Sequence, residues 1–158
     1  MSDIVQIRDV GDTGSIRRLS DQAALTAAGS GDATTVTGVT IDRLGFSGSS
    51  IAQSSELVVL FAATLASGAT LSVTFDLQDS ADATNFSDYA TSAATVAATG
   101  PSGGGVVKSQ INFGVNLRAA RRYVRLLFVP DLSATGTDTA TAIASGFFGG
   151  FDRLPQIN

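Results

Sequence analysis

Few residues in this chain could support catalysis, and most of those are carboxylates. The 158 residues include no histidine and no cysteine, and Lys108 is the only lysine. The usual general base near neutral pH is therefore missing, together with imidazole and thiolate metal ligands and every Ser-His-Asp or Cys-His arrangement. A Ser-Lys dyad would need a Ser-x-x-Lys spacing, which Lys108 lacks. The sequence predicts that the protein is not an enzyme.

Thirteen aspartates and one glutamate leave two other kinds of chemistry to consider. Paired carboxylates can cleave glycosides, but sugar sites use aromatic platforms, and the chain has no tryptophan and only Tyr89 and Tyr123. A weak hydrolase is therefore a minor alternative. The segment from Asp79 to Asp88 is dense in oxygen donors that could hold Ca²⁺, but it lacks the glycine and terminal glutamate of an EF-hand. We favour a turn between strands and predict no metal and no cofactor.

Basic residues are concentrated in the second half of the chain. Five of the ten lie between Lys108 and Arg125, although the net charge is −4. An overall negative charge disfavours nucleic-acid binding, which needs a basic face to neutralise phosphates. Because guanidinium groups also pair with carboxylates across interfaces, we favour subunit contact over phosphate binding. The predicted contact residues here are Arg121 and Arg125 on one strand face and Arg122 on the other.

Alternating apolar and polar residues predict an all-β fold. In Thr70–Gln78, for example, every second residue is large and apolar, which places one face in a core and the other in solvent. We predict a single β-sandwich of about eight strands, with Pro130 ending the seventh. The predicted strands are 23–27, 34–42, 55–65, 70–78, 89–96, 106–116, 122–129 and 141–148. The glycine-rich segment 100–105 lacks the Gly-Lys-Ser/Thr ending of a phosphate loop and is predicted to be a surface loop.

Both ends of the chain are predicted to make contacts. Residues 1–21 combine charges and turn formers with scattered apolar residues, which is typical of an extended arm that orders against a neighbour. The sandwich domain is then 22–158. In the cluster from Gly146 to Phe151 we assign Phe148 to the core and Phe151 to a contact. The candidate contact residues outside the arginine group are Ile4, Ile7, Arg17, Arg18 and Phe151.

Neither a secretion signal nor a membrane span is predicted. The first residues lack a basic segment leading into an apolar one. The longest apolar stretch, 57–66, is about half of the ~20 residues that a membrane-spanning helix requires. We therefore expect that the protein stays where it is made and has no membrane partner.

The chain resembles a family of phage virion proteins. The passage from Leu71 to Tyr89 contains Leu-Gln-Asp-Ser-Ala-Asp at the end of a strand, followed by an aromatic residue entering the next strand. With the Arg-Tyr-Val-Arg-Leu strand at 122–126 and a late Gly-Phe-rich strand, this is similar to the Bordetella-phage-type capsid cement proteins of tailed bacteriophages. The resemblance covers 34–148.

This resemblance implies a jelly-roll-like sandwich that assembles as a homotrimer on the outside of an icosahedral head and clamps neighbouring major capsid protein subunits. It implies location in the virion and a structural, decorating role. The alternative is a virion spike or receptor-binding module, which needs a pocket able to hold a sugar. A further hypothesis is that the arm reaches an adjacent subunit, so that deleting residues 2–20 abolishes decoration and leaves the fold intact.

Overall fold

The computed structural model describes residues 14–46, 51–133 and 136–150, and these residues form two stacked antiparallel sheets. Within them there are eleven strands and no helix. The strands are β1 (Gly14–Arg18), β2 (Ala23–Thr26), β3 (Val36–Thr37), β4 (Ile41–Asp42), β5 (Ser54–Leu65), β6 (Thr70–Ser80), β7 (Ser87–Thr91), β8 (Thr95–Thr99), β9 (Gly105–Asn116), β10 (Tyr123–Leu132) and β11 (Thr139–Gly149).

Each sheet is four strand positions wide. In the first sheet, β1 and β2 lie end to end along β11, which is followed by β5 and β9. In the second sheet, β3 and β4 share one side of β10, which is followed by β6, and β7 and β8 share the far side of β6. When the eight positions are numbered in chain order, β1/β2 is position 1, β3/β4 is position 2, β7/β8 is position 5 and β11 is position 8. The first sheet then has the order 1-8-3-6 and the second has the order 2-7-4-5. This is a jelly roll, and the predicted all-β jelly-roll-like sandwich is confirmed.

The core lies between the sheets and follows the predicted alternation. In β6 every second residue, from Leu71 to Leu77, is buried, and in β10 the inward residues are Val124, Leu126 and Phe128. Phe148 is fully buried, as predicted. Burying such side chains is worth roughly 1.5–3 kcal/mol each, so this alternation dominates the stability of the sandwich.

Two predicted strands are each divided in two. The strand expected at 34–42 breaks between β3 and β4 because the chain turns toward the other sheet, where Val39 N–H donates to Leu19 C=O at 2.7 Å. A Cβ on Gly38 would lie 2.5 Å from two carbonyl oxygens, so glycine permits this close approach. The strand expected at 89–96 breaks between β7 and β8 at Ser92, whose hydroxyl accepts a hydrogen bond from Phe75 N–H at 3.0 Å.

The prediction that Pro130 ends its strand is wrong. Strand β10 continues to Leu132, and Pro130 lies opposite Val73 of β6. The C=O of Pro130 accepts a hydrogen bond from Ala33 N–H at 3.1 Å, on the side away from β6. In an antiparallel strand the nitrogen of a residue points the same way as its carbonyl, so the missing donor falls outside the β6 ladder.

The described part of the predicted arm belongs to the sandwich. Strand β1 pairs with β11, from Gly14 opposite Gly149 to Arg18 opposite Ser145. Leu19 and Ser20 are both buried, and Ser20 accepts a hydrogen bond from Ala144 N–H. Deleting residues 2–20 would remove these contacts, so the expectation that this deletion leaves the fold intact is corrected. An arm formed by residues 1–13 stays a prediction.

Candidate functional site

Arg121 and Arg122, two of the predicted contact residues, are held by side chains of the second sheet. Arg121 donates to Asp79 through Nε and its backbone N–H, at 2.9 and 2.7 Å. Arg122 forms a two-pronged pair with Asp42, at 3.0 and 2.7 Å. The side chains of Arg121 and Arg122 are 45% and 47% exposed. Their guanidinium groups are therefore fixed in direction and still half accessible to a partner.

Arg125 lies at the centre of a polar group on the outer face of the second sheet. Its guanidinium carbon stands 4.0 Å from the ring centre of Phe86, and it donates to Gln78 Oε1 at 2.9 and 2.7 Å. Gln78 in turn donates to Asp88 Oδ1 at 2.7 Å. We call Asp76, Gln78, Asp88 and Arg125 the outer-face cluster. Sequence reasoning identified the arginine but not its companions, which come from β6 and β7.

The other candidate contact residues lie at the opposite sheet or outside the described residues. Arg17 and Arg18 are on β1 in the first sheet, where Arg18 pairs with Asp21 and the guanidinium of Arg17 stands 4.7 Å from the centre of the Phe46 ring. Ile4, Ile7 and Phe151 lie outside the described residues. Gly14 is opposite Gly149, at one end of the first sheet. The contact role of all eight residues stays a prediction.

The segment from Asp79 to Asp88 forms a turn between β6 and β7. Asp82 accepts hydrogen bonds from the backbone N–H groups of Asn85 and Thr84 and from the Ser80 hydroxyl, at 2.8 to 2.9 Å. These bonds, the one from Asn85 N–H first, lower the pKa of Asp82 well below its usual range. The turn interpretation is confirmed. Among the described residues no three acidic, histidine or cysteine side chains are grouped closely enough to hold a metal ion.

Asp76 is a partly buried carboxylate of the outer-face cluster. Its Oδ1 is buried and has no hydrogen-bond partner. Burial raises the pKa of Asp76 above its usual value of 3.8, the neighbouring Asp88 raises this pKa further, and Arg125 partly offsets both effects. The ionised form is therefore disfavoured in the folded protein.

Replacing Asp76 with asparagine is expected to stabilise the protein near neutral pH. Because the folded-state pKa is raised, the folded chain binds more protons than the unfolded chain above pH 3.8, and stability falls as pH rises through the folded-state pKa. Asparagine does not ionise, so the Asp76→Asn variant does not lose this stability as the pH rises. Urea midpoints should therefore be higher for the variant at about pH 7 and converge with those of the parent at about pH 3. A variant that is no more stable than the parent at about pH 7 would contradict this account.

A buried arginine that sequence reasoning missed holds one end of the sandwich together. Arg43 is 1% exposed and donates to the backbone carbonyls of Ala52, Leu117, Ala120 and Arg121, with a 2.9 Å bond to Ala52 and another to Arg121. Burial lowers its pKa, while Tyr89 and Asp79 act in the opposite direction. Nothing in the sequence around Arg43 distinguishes it from a surface arginine.

An open cleft lies at the end of the first sheet, beside Gly150. It has a volume of about 580 Å³, and its lining includes Glu56, Asn116, Arg118 and Gly150. None of its lining residues is aromatic.

The predicted surface loop 100–105 connects β8 to β9 and so passes from one sheet to the other. No helix in the described ranges is long and apolar enough to span a membrane.

These observations define an all-β jelly-roll domain. Its described polar side chains form turns, ion pairs and the Arg43 clamp, which is the set of hydrogen bonds from Arg43 to four backbone carbonyls. No protein-family model matches the sequence, and no curated protein matches it. Among solved structures, a chain from the T13 particle of infectious bursal disease virus is similar, with a TM-score of 0.50 and 12% identity over 95% of this chain and 36% of that one. The VP2 subviral particle of the same virus gives a TM-score of 0.47 and 11% identity over 94% of this chain and 37% of that one.

The likeness is therefore to viral capsid proteins, and at 12% identity it shows a shared fold. The chain spans just over a third of the length of these viral chains. Nearly all of this chain corresponds to one part of a larger particle protein.

Proposed function

We propose that this protein is a structural virion protein that decorates and stabilises the outside of an icosahedral phage capsid by binding major capsid protein subunits. The single observation that carries the proposal is the jelly roll, which is shared over 95% of the chain with a protein of an icosahedral virus particle. The resemblance of residues 34–148 to phage cement proteins supports the finer assignment. On this proposal the protein is made in the host cytoplasm and acts as a homotrimer on the capsid exterior.

The surface chemistry supports a contact role. Arg121 and Arg122 present guanidinium groups that are already oriented by Asp79 and Asp42, so little side-chain freedom remains to be lost when a partner binds. The first sheet also exposes apolar side chains, with Ile16 72% and Leu60 42% exposed. Each decorating subunit would favour the assembled shell by mass action, because it binds the shell and not the free capsid subunits.

The copy number in purified particles tests this function. A decorating protein is present in numbers comparable to the major capsid protein, whereas a spike or receptor-binding module is present in few copies. Quantitative mass spectrometry of purified virions, normalised to the major capsid protein, separates the two. Absence of the protein from particles would overturn the virion assignment altogether.

Deleting residues 2–13 is expected to abolish capsid binding without unfolding the sandwich. The deletion stops before β1 and so keeps the buried Leu19 and the pairing of Gly14 with Gly149. A full-length variant with Ile4→Asp and Ile7→Asp should bind undecorated expanded heads at least about tenfold more weakly, since burying one isoleucine is worth roughly 1.5–3 kcal/mol and about 1.4 kcal/mol corresponds to tenfold. Co-sedimentation with heads measures binding, and circular dichroism checks the fold. Undiminished binding by both variants would refute a role for the arm.

A further inference from the structure

Of the four sheet edges that the described residues form, three are poorly suited to pairing with another chain. The β3/β4 edge consists of two-residue strands, and the β7/β8 edge is interrupted and paired to β6 with two register shifts. The β1/β2 edge is divided between two strands of five and four residues. Short, broken and bulged edges of this kind prevent edge-to-edge association.

Strand β9 is different from the other edges. It runs for 12 residues, pairs with β5 without a register shift, and contains no proline and one charge, Lys108. Ser109 near its middle is exposed although its neighbours Val107 and Ile111 pack against the core. A long, regular and nearly uncharged edge of this kind is a template for strand addition.

The hydrogen-bond pattern shows which backbone groups of β9 are available. Leu117 N–H donates to Gln53 C=O at 2.8 Å. Hydrogen-bonded and non-hydrogen-bonded pairs alternate along an antiparallel ladder, so the next pair, Ser54 and Asn116, is non-hydrogen-bonded. Even-numbered residues of β9 therefore point their N–H and C=O groups away from β5. In agreement, the C=O of Asn116 accepts the hydroxyl of Tyr89 from the second sheet at 2.7 Å.

We propose that β9 pairs antiparallel with β9 of a second copy of this chain, about a two-fold axis at Gln110. In this register Lys108 lies opposite Asn112 of the second copy, so the two lysines do not face each other. Phe113 lies opposite Val107 of the second copy, and both are half-buried apolar residues that pack against their own core. Aromatic and β-branched residues form favourable cross-strand pairs.

The neighbouring registers are less favourable. A two-fold axis at Ser109 places Phe113 opposite Gly105, which has no side chain to pair with it, and an axis at Lys108 places the two ammonium groups opposite each other, which is destabilising. An axis at Ile111 or Asn112 requires the C=O of Asn116, which already accepts the Tyr89 hydroxyl. The Gln110 register uses only outward groups between Val106 and Gly114. It leaves the remaining surfaces free, so it is compatible with the proposed trimer and would join copies from different trimers.

Cysteine cross-linking tests the proposal on an otherwise cysteine-free chain. In the proposed register the two Gln110 Cα atoms are about 5.5 Å apart, within disulfide range. Gln110→Cys should therefore form a covalent dimer under mild oxidation, seen on non-reducing gels. The matched variant Asn112→Cys should not, because its two copies are four residues, or about 14 Å, apart along the strand. The double variant Lys108→Cys/Asn112→Cys should cross-link again.

The outcomes separate the register from chance collision. Cross-linking of Gln110→Cys and of the double variant, without cross-linking of Asn112→Cys, supports the two-fold pair. Equal cross-linking of all three, or of none while circular dichroism shows folded protein, overturns it. The experiment uses the purified protein in the absence of capsids, so its result does not depend on the proposed function.

Discussion

Replacing Arg43 with methionine is expected to lower the free energy of unfolding by about 3–5 kcal/mol, because several backbone carbonyls lose their donor and each buried acceptor left without a partner costs roughly 1–3 kcal/mol. Methionine fills similar space but donates no hydrogen bonds. The backbone carbonyls of Ala52 and Leu117 would lose a buried donor, and those of Ala120 and Arg121 would lose a partly buried one. Arg43→Lys should fall between the parent and methionine, because one ammonium group cannot reach all four oxygens.

The matched control is Arg122→Met, which makes the same chemical change at a half-exposed arginine paired with Asp42. It should shift the urea midpoint only slightly, because exposed ion pairs contribute little. Far-UV circular dichroism in urea measures both variants, with an unchanged slope indicating that only stability has changed. Similar midpoints for the two variants would show that the Arg43 clamp does not stabilise the fold.

Replacing Phe75 with alanine is expected to cost about 3–5 kcal/mol, in the range measured for buried phenylalanines. Phe75 lies opposite Phe128 within the second sheet, and its ring stacks on Phe113 of the first sheet at a centroid distance of 5.3 Å. It is 2% exposed. Truncation would leave a cavity where the two sheets meet, close to the edge formed by β9.

Val96→Ala serves as the control for this loss of apolar volume, because Val96 is 58% exposed on β8. Its expected effect is within about 0.5 kcal/mol. The same urea titration applies. If Phe75→Ala costs no more than Val96→Ala, the contact between Phe75 and Phe113 is not part of the stabilising core.

The ion pairs of Arg121 and Arg122 illustrate how far a sequence pattern can reach. The concentration of arginines near β10 was visible along the chain, and so was the contrast with the acidic stretch upstream. The pairing of Arg121 with Asp79 joins residues that are 42 positions apart, and that of Arg122 with Asp42 joins residues 80 positions apart. Such partners are set by strand register between β6, β4 and β10, and local periodicity carries no information about which strands are neighbours.

The strand breaks show the same limit. A run of β-forming residues predicts a strand but does not show where the chain leaves one sheet for the other. At Val39 and Ser92 the break depends on a hydrogen bond to a distant residue, Leu19 in one case and Phe75 in the other. Pro130 lies within a strand because its nitrogen faces away from β6, on a side where β3 pairs with Leu127 and Phe128 but no strand pairs with Pro130.

What the residues alone determined was the class of fold and the chemistry that is missing. Period-two alternation in β6 and β10 placed the core correctly, because side chains alternate in any strand whatever its neighbours are. The absence of histidine and cysteine excludes whole classes of mechanism, because no fold can supply a side chain that the sequence lacks. Only the tertiary structure decided that β1 belongs to the sheet, that Arg43 is a buried clamp, and that β9 is the long regular edge. Each of these depends on contacts between distant parts of the chain, and burial and edge position are properties of the assembled sheets.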